Sequence, residues 1–585
     1  MPPDPAGHLE QSSYPSLTDL LTFRSKATLL QLREGIVNRW VNPVQKHPKT
    51  SDLIDRPVIA ESITPLWSSQ DILEDRFVLG KIQNLRVALQ QIHGIEIPKN
   101  GIFSFWKQIG QPTQHRGYVT GREIRQGCLI PSIGGGLCQL SNALYSLALN
   151  TETEIIERHA HTQIIPGSLA ESGQDATVFW NYVDLRFKVR EALRIEAFLT
   201  SDALVVRFKG QKIETVPQAI TEPQQVVSFT DPIHQCDTCN VTACIRHIPL
   251  TDLLQSLERT AYLVDEYWPE FDRYIQTHRT NRDLLALPLQ GQRWRKSNYA
   301  WNSNGFQQIQ TATIMTLRRS LTSRKIATQG KSRQKQLLKN DQKLSEIYAA
   351  RLTYDVNHIV VMQHLLPFLW REGHLGGRSF DVLMTRLPLS VLQERLDRAH
   401  CNHPQSSTLG DFRTNPELLE AEWQALQSAQ RLITPHTEIA KLFPKKTILL
   451  DWSLPNIEAS SERGNVILFP ASTLGRKGAY ELREVAKELD LQLKLLGTEL
   501  EGENFWAGVK VSRAQLNALS DVGLVVLPAY VEHNPRLLLQ AIAYQIPVIA
   551  STACGLEQVP GVTSIPTGDI SQLKQAIQSF MGIIL

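Results

Sequence analysis

Apolar positions recur along this chain with two different periods. A helical pattern runs through Asn84, Leu85, Val87, Ala88 and Leu89 and ends near the turn signal Pro98-Lys99-Asn100-Gly101. A second helix opens after Gly136, with Leu137, Leu140, Leu144 and Leu147 falling on one face of a 3.6-residue wheel. Strand-like runs follow at 176–189 and 194–208, the latter closed by Lys209-Gly210. Toward the C-terminus the pattern changes. Short β-rich runs at 380–384, 447–450, 466–469, 493–496, 522–527 and 547–550 alternate with amphipathic helices, which predicts a doubly wound parallel sheet.

These patterns divide the chain. Residues 1–80 read as a helical extension broken by Pro43, Pro48, Pro57 and Pro65, and 81–210 as a compact α+β domain. Residues 211–250 form a proline-bearing linker with a Cys/His cluster, and 251–350 a helical and basic segment. The doubly wound α/β region occupies 351–455 and 456–585. At 585 residues the chain exceeds one hydrophobic core, and ~100–200 residues per domain predicts a multidomain α/β protein. Apolar residues at 42% and charged residues at 20% exclude wholesale disorder. The start, Met1-Pro2-Pro3-Asp4-Pro5, lacks the basic and apolar regions of a secretory leader. No apolar run approaches the ~20 residues of a membrane span, so the expected location is cytoplasmic.

The run Gly134-Gly135-Gly136-Leu137-Cys138-Gln139 puts a glycine turn at the start of a helix. Glycines admit backbone conformations closed to other residues and leave N–H groups that could line a close-approach site. Cys138 falls about 140° from the centre of the leucine stripe at roughly 100° per residue. A cysteine in a helix's first turn feels the positive end of the macrodipole, which favours the nucleophilic thiolate. His159 and His161 would supply a base and Asp175 its orienter. The alternative is a small packed cysteine with structural histidines.

Phe103-Ser104-Phe105, Ile109-Gly110, Gly117-Tyr118, the run 134–141, Glu157-Arg158-His159-x-His161, Asp175-Ala176-Thr177 and Asp184-Leu185-Arg186-Phe187 together resemble a VanW-type domain over about 81–210. The resemblance carries no established reaction.

Cys236, Cys239, Cys244 and His247 form a C-x2-C-x4-C-x2-H array that suits a structural, fully ligated Zn²⁺. An iron–sulfur cluster is the rival occupant, and unliganded cysteines the plain alternative. Net charge is only +3, yet 318–343 holds nine basic residues against one acid, Asp341. Such a block suits phosphates, a peripheral contact with an anionic membrane surface, or simply a solvated helical face. No named nucleic-acid motif accompanies it.

In the last third, Gly475-Arg476-Lys477-Gly478 follows the run 465–470 and opens a helix, where backbone N–H groups and a lysine suit a diphosphate. Glu532 follows the run 522–528, at the carboxyl end of a parallel strand. With Ala541-x-Ala543, 546–550 and Gly555-Leu556-Glu557, these residues resemble the donor-binding half of a GT-B glycosyltransferase. The resemblance implies that Lys477 binds the donor diphosphate and that Glu532 and Gln540 stand for the E-x7-E pair holding sugar and ribose. Ser472 occupies the usual arginine position, with Arg476 as its substitute. The implied activity is transfer from a nucleotide-diphosphate sugar to an unidentified acceptor, without a catalytic metal. The acceptor's base would lie among His364, His374 and Asp381. Two other functions stay open: Cys138-dependent acyl transfer or hydrolysis, and non-catalytic glycan or partner binding.

Overall fold

The computed structural model describes residues 44–67, 72–125, 128–160, 173–180, 183–211, 259–323, 331–457, 464–513 and 521–584. Contacts divide the chain into two units, Met1–Leu257 and Glu258–Leu585. Among the described residues no helix is long and apolar enough to cross a membrane.

The first unit runs β1 (Val58–Pro65), α1 (Ile72–Ile92), β2 (Ile95–Ile97), β3 (Ile102–Ser104), β4 (Thr120–Arg125) and β5 (Cys128–Ile133). It continues through α2 (Cys138–Leu149), β6 (Thr153–Glu157), β7 (Arg186–Val189), β8 (Leu193–Leu199) and β9 (Ala203–Gly210). The strands form an antiparallel sheet in the order β1-β9-β8-β2, a smaller one in the order β3-β7-β6, and the hairpin β4-β5. On α1, Val78, Ile82, Leu85, Leu89 and Ile92 are buried at helical spacing, so its apolar stripe becomes core.

Three sequence expectations shift here. Residues 58–65, assigned to a helical extension, are a strand paired along most of β9. The run 194–208 is two strands, because Thr200, Ser201 and Asp202 make a turn in which the Thr200 hydroxyl accepts from Ala203 N–H at 2.9 Å. Among the described residues of 176–189, Arg186–Val189 is a strand and Phe179 and Val183 form an isolated bridge.

The second unit begins with β10 (Thr260–Leu263), α3 (Pro269–His278), β11 (Leu284–Leu287) and β12 (Gln308–Thr311). It continues with α4 (Thr313–Ser323), α5 (Lys331–Ala349), β13 (His358–Met362), β14 (Ser379–Leu383), β15 (Arg431–Thr434) and β16 (Thr447–Leu449). A second series follows: β17 (Val466–Phe469), α6 (Ala479–Glu488), β18 (Gln492–Leu495), β19 (Lys510–Arg513), β20 (Val522–Leu527), α7 (Arg536–Ala543), β21 (Val548–Ser551) and β22 (Val562–Ile565). All neighbours pair in parallel, in the orders β12-β11-β10-β13-β14-β15-β16 and β19-β18-β17-β20-β21-β22.

The region is therefore two Rossmann-like sheets in succession. The first starts at Thr260, inside the stretch expected to be helical, since four-residue strands such as Thr260-Ala261-Tyr262-Leu263 are too short to declare a period. Each chain winds outward over three strands and then returns beside its starting strand. This leaves a crevice at the carboxyl ends of β10 and β13 and another at those of β17 and β20, the places where open α/β sheets bind ligands.

Candidate functional site

At the β17/β20 crevice, the chain leaving β17 makes one tight turn, Gly475–Lys477, and reaches left-handed Gly478 (φ 76°) before α6 begins. A Cβ at Gly478 would lie 2.0 Å from the Pro528 carbonyl oxygen, so only glycine lets this turn meet the loop after β20. Tyr530 and Val531 N–H groups donate to the Arg476 carbonyl at 2.9 and 3.1 Å, fastening the two loops. As a result Lys477 Nζ stands 2.7 Å from Glu532 Oε2 and 3.3 Å from the Val531 carbonyl. Both side chains keep some access to solvent, at 16% and 15% exposure.

Burial alone would raise the Glu532 carboxyl. Lys477's charge and hydrogen bond, the Asn534 N–H at 3.1 Å and the nearby Arg476 outweigh it and hold the group below its usual range. The Arg476 guanidinium lies over the Phe412 ring at 4.8 Å, and burial pulls it below its ordinary value. Gln540 sits on α7, partly exposed.

One expectation about this turn changes. Its first amide is not free: Gly475 N–H donates to Glu501 at 2.5 Å, and Glu501 also accepts from Ser406 at 2.8 Å and Tyr480 at 2.9 Å. That amide is therefore already bonded within the protein. Two histidines complete the surroundings. His436, just after β15, has Nε2 3.0 Å from the Glu532 carbonyl and therefore donates, while His533 Nε2 accepts from Leu387 N–H at 3.3 Å. Burial holds both imidazoles below their usual range.

The β10/β13 crevice carries a different constellation, which sequence reasoning mostly missed. Asp265, two residues past β10, takes both terminal nitrogens of Arg319 at 2.8 and 2.6 Å and lies 3.2 Å from His364 Nε2. Arg319 also donates to the Tyr299 hydroxyl at 2.6 Å. Asp341 on α5 joins them; it, Asp265 and His364 have potential ligand atoms within 4.8 Å of one another. Burial pushes the Asp341 carboxyl up to about 6. For Asp265, Arg319 and His364 overcome the burial cost and keep the carboxyl well below its usual range. Burial lowers His364, but Asp341 and Asp265 outweigh it and raise the imidazole. Of the other two base candidates, Asp381 lies within β14 rather than at its carboxyl end, paired with Arg431 at 2.7 Å and His358 at 3.2 Å. His374 contributes its carbonyl to Arg378 Nη1 at 2.7 Å.

In the first unit, the glycine run is closely packed. Gly134 and Gly135 N–H groups donate to the Val119 and Ser132 carbonyls at 3.1 and 3.0 Å, so they do not line an open site. A Cβ at Gly136 (φ 93°) would lie 2.2 Å from Lys81 Cγ, a close approach to α1 that explains the glycine. Leu137, Leu140, Leu144 and Leu147 are buried as the wheel predicts. Cys138 opens α2, partly exposed, its edge against the core. Gln139 reaches Thr64 Oγ1 at 2.9 Å and the Pro65 carbonyl at 2.8 Å, tying α2 to β1.

His159 Nε2 lies 3.3 Å from Glu157, while buried Asp175 accepts from Arg158 at 2.7 Å. Arg158 also covers the Tyr145 ring at 5.2 Å. Asp184 accepts from the Ser104 hydroxyl at 2.5 Å, Trp106 N–H at 3.1 Å and Arg186 Nε at 2.9 Å. Several of the motif residues therefore satisfy one another inside the domain. His161 and the cluster Cys236, Cys239, Cys244 and His247 lie outside the described residues.

With this geometry in place, comparison with known proteins divides along the same line. A family model described as VanW like protein matches residues 80–209, which form a VanW-like domain. The uncharacterized protein YoaR of Bacillus subtilis (strain 168) is 32% identical over 105 residues, 18% of this chain and 34% of that protein. The vancomycin B-type resistance protein VanW of Enterococcus faecalis (strain ATCC 700802 / V583) is 30% identical over 125 residues, 21% of this chain and 46% of that protein. The match thus spans less than half of either curated relative.

Among solved structures, sucrose-phosphate synthase from Thermosynechococcus elongatus matches 56% of this chain and 90% of its own, at 15% identity and a TM-score of 0.36. The apo form of the lipopolysaccharide outer core galactosyltransferase WaaB matches 55% of this chain and 90% of its own, at 11% identity and a TM-score of 0.32. Scores of that size carry no argument about function.

Proposed function

We propose that the second unit binds a nucleotide-diphosphate sugar at the β17/β20 crevice and transfers the sugar to an acceptor. The observation that carries this reading is the Lys477–Glu532 pair at 2.7 Å, built at the carboxyl ends of adjacent parallel strands and still open to solvent. In this reading Lys477 and Arg476 neutralise charge growing on the leaving diphosphate, a large electrostatic contribution that requires no metal. Glu532 accepts hydrogen bonds from sugar hydroxyls, and Gln540 from or to the ribose. The GT-B-like pattern of Lys477, Glu532 and the residues 541–557 supports the same assignment. Calorimetric titration of a panel of nucleotide-diphosphate sugars into wild type and Lys477→Ala tests it. Binding by wild type that weakens in the variant is expected, and silence across the whole panel sinks the reading.

A second reading places nucleophilic chemistry at Cys138, with His159, His161 and Asp175 as its supporting groups. It is favoured by one observation: the thiol opens a 12-residue helix, off that helix's buried stripe and partly exposed. It predicts loss of a hydrolytic or acyl-transfer activity in Cys138→Ser, screened with ester and amide substrates, while donor binding stays intact. An active Cys138→Ser protein rejects it.

A further inference from the structure

The basic block at 318–343 is not absorbed by the proposed function, and the structure separates its residues into two faces. Along α4, one side turns inward. Ala312 just before the helix and Thr316 are buried, and the Thr316 hydroxyl donates to the Pro288 carbonyl at 3.1 Å. Arg319, one turn further on, reaches Asp265. The opposite side carries Ile314, Leu317 and Leu321, exposed to 71%, 47% and 59%, with exposed Arg318 among them. At 3.6 residues per turn, positions 314, 317, 318 and 321 share one narrow arc. This is the reverse of a buried amphipathic helix: the apolar stripe points outward. Neighbouring α5 adds exposed Leu337, while exposed Lys335 and Lys339 lie on the other side of that helix.

We propose that α4, with the adjoining face of α5, docks on an anionic lipid surface. Charge complementarity selects this occupant: apart from Asp341, every ionised Lys, Arg, Asp or Glu in 318–343 is a cation. Outward aliphatic side chains with a cation such as Arg318 among them are what an interfacial helix places between headgroups and acyl chains. A second copy of the chain is disfavoured by area. The three aliphatic side chains offer on the order of 300 Å², against the ~800 Å² each partner contributes to a stable interface. A nucleic acid would use the charges but gain nothing from an outward Ile314, Leu317 and Leu321.

The test is cosedimentation of the full chain with vesicles of phosphatidylcholine, alone or with phosphatidylglycerol. Compared are wild type, the pair Ile314→Glu/Leu321→Glu and the single variant Arg318→Ser, each checked for native circular dichroism. Wild type should prefer the anionic vesicles by about tenfold or more, and the preference should shrink as salt rises. Arg318→Ser should weaken binding about fivefold, a loss that stays readable if the double variant fails to fold. The folded double variant should lose binding by about tenfold or more. Equal binding to neutral vesicles, or unchanged binding by both variants, would overturn the proposal. So would a wild-type oligomer in vesicle-free sedimentation that the double variant breaks, or an RNA oligonucleotide bound in place of the vesicles.

Discussion

The two Rossmann-like sheets of the second unit place charged groups at the same topological point but use them differently. At the β10/β13 crevice, Asp265 is buried, gripped through both oxygens by Arg319 and backed by His364 and Asp341. Each charge there has an opposite within the cluster. At the β17/β20 crevice, the Lys477–Glu532 pair keeps solvent access, and Arg476 brings a second cation against the same carboxylate. The clearest difference in burial is at the carboxylates, Asp265 being 7% exposed and Glu532 15%. Under the proposed function the first cluster holds structure and the second meets an anionic ligand.

The largest expected effect is on the first crevice. Arg319→Met leaves the Asp265 carboxylate buried without its two guanidinium bonds, and denaturant unfolding should register a loss of about 3–5 kcal/mol. Lys477→Met should cost stability only about 1–2 kcal/mol, because Glu532 retains the Asn534 N–H and some contact with water. If the two losses come out equal, the contrast fails.

A smaller effect separates the crevices by pH. Asp341 keeps its proton up to about 6 when folded. In the unfolded chain a carboxyl gives up its proton near pH ~4. The folded state therefore binds more protons between these values, and stability falls as pH rises through that window. His364, raised above its usual value, acts in the same sense at higher pH, its contribution being lost as pH climbs through the folded value. Relative to wild type, Asp341→Asn should gain stability progressively through the lower window, by about 1 kcal/mol near its middle, read from unfolding curves at several pH values.

The smallest test concerns Cys138, by mass-spectrometric timing of iodoacetamide labelling. If Cys138 carries chemistry, it reacts ahead of Cys401, which is more exposed, and far ahead of buried Cys554. Labelling in simple order of exposure would instead leave Cys138 as a packed residue of the VanW-like domain.

What the sequence could disclose followed element length and separation. The stripe Leu137, Leu140, Leu144, Leu147 was readable because 12 residues are enough to show a helical period. The four-residue strands β10, β11 and β12 were not, and so three of the first sheet's seven strands were concealed in a stretch expected to be helical. Lys477 and Glu532 could be nominated from their local surroundings, but their contact spans 55 positions and had to come from the fold. Arg319 was one arginine among nine basic residues, with nothing local to separate it from its solvated neighbours. Asp341, the single acid of that block, was visible as an exception, yet its role depends on β13 bringing His364 beside it. The glycine run showed the reverse. It was conspicuous in sequence, and its geometry serves packing against α1.

The division of labour between the crevices is tested most directly by one calorimetric titration of a nucleoside diphosphate and its sugar conjugates into three proteins: wild type, Lys477→Met and Asp341→Asn. Wild type and Asp341→Asn should bind alike, while Lys477→Met should lose about tenfold or more in affinity, as expected for removal of a charge-assisted contact to the diphosphate. Undiminished binding by Lys477→Met, or binding abolished in a folded Asp341→Asn protein, would contradict that division.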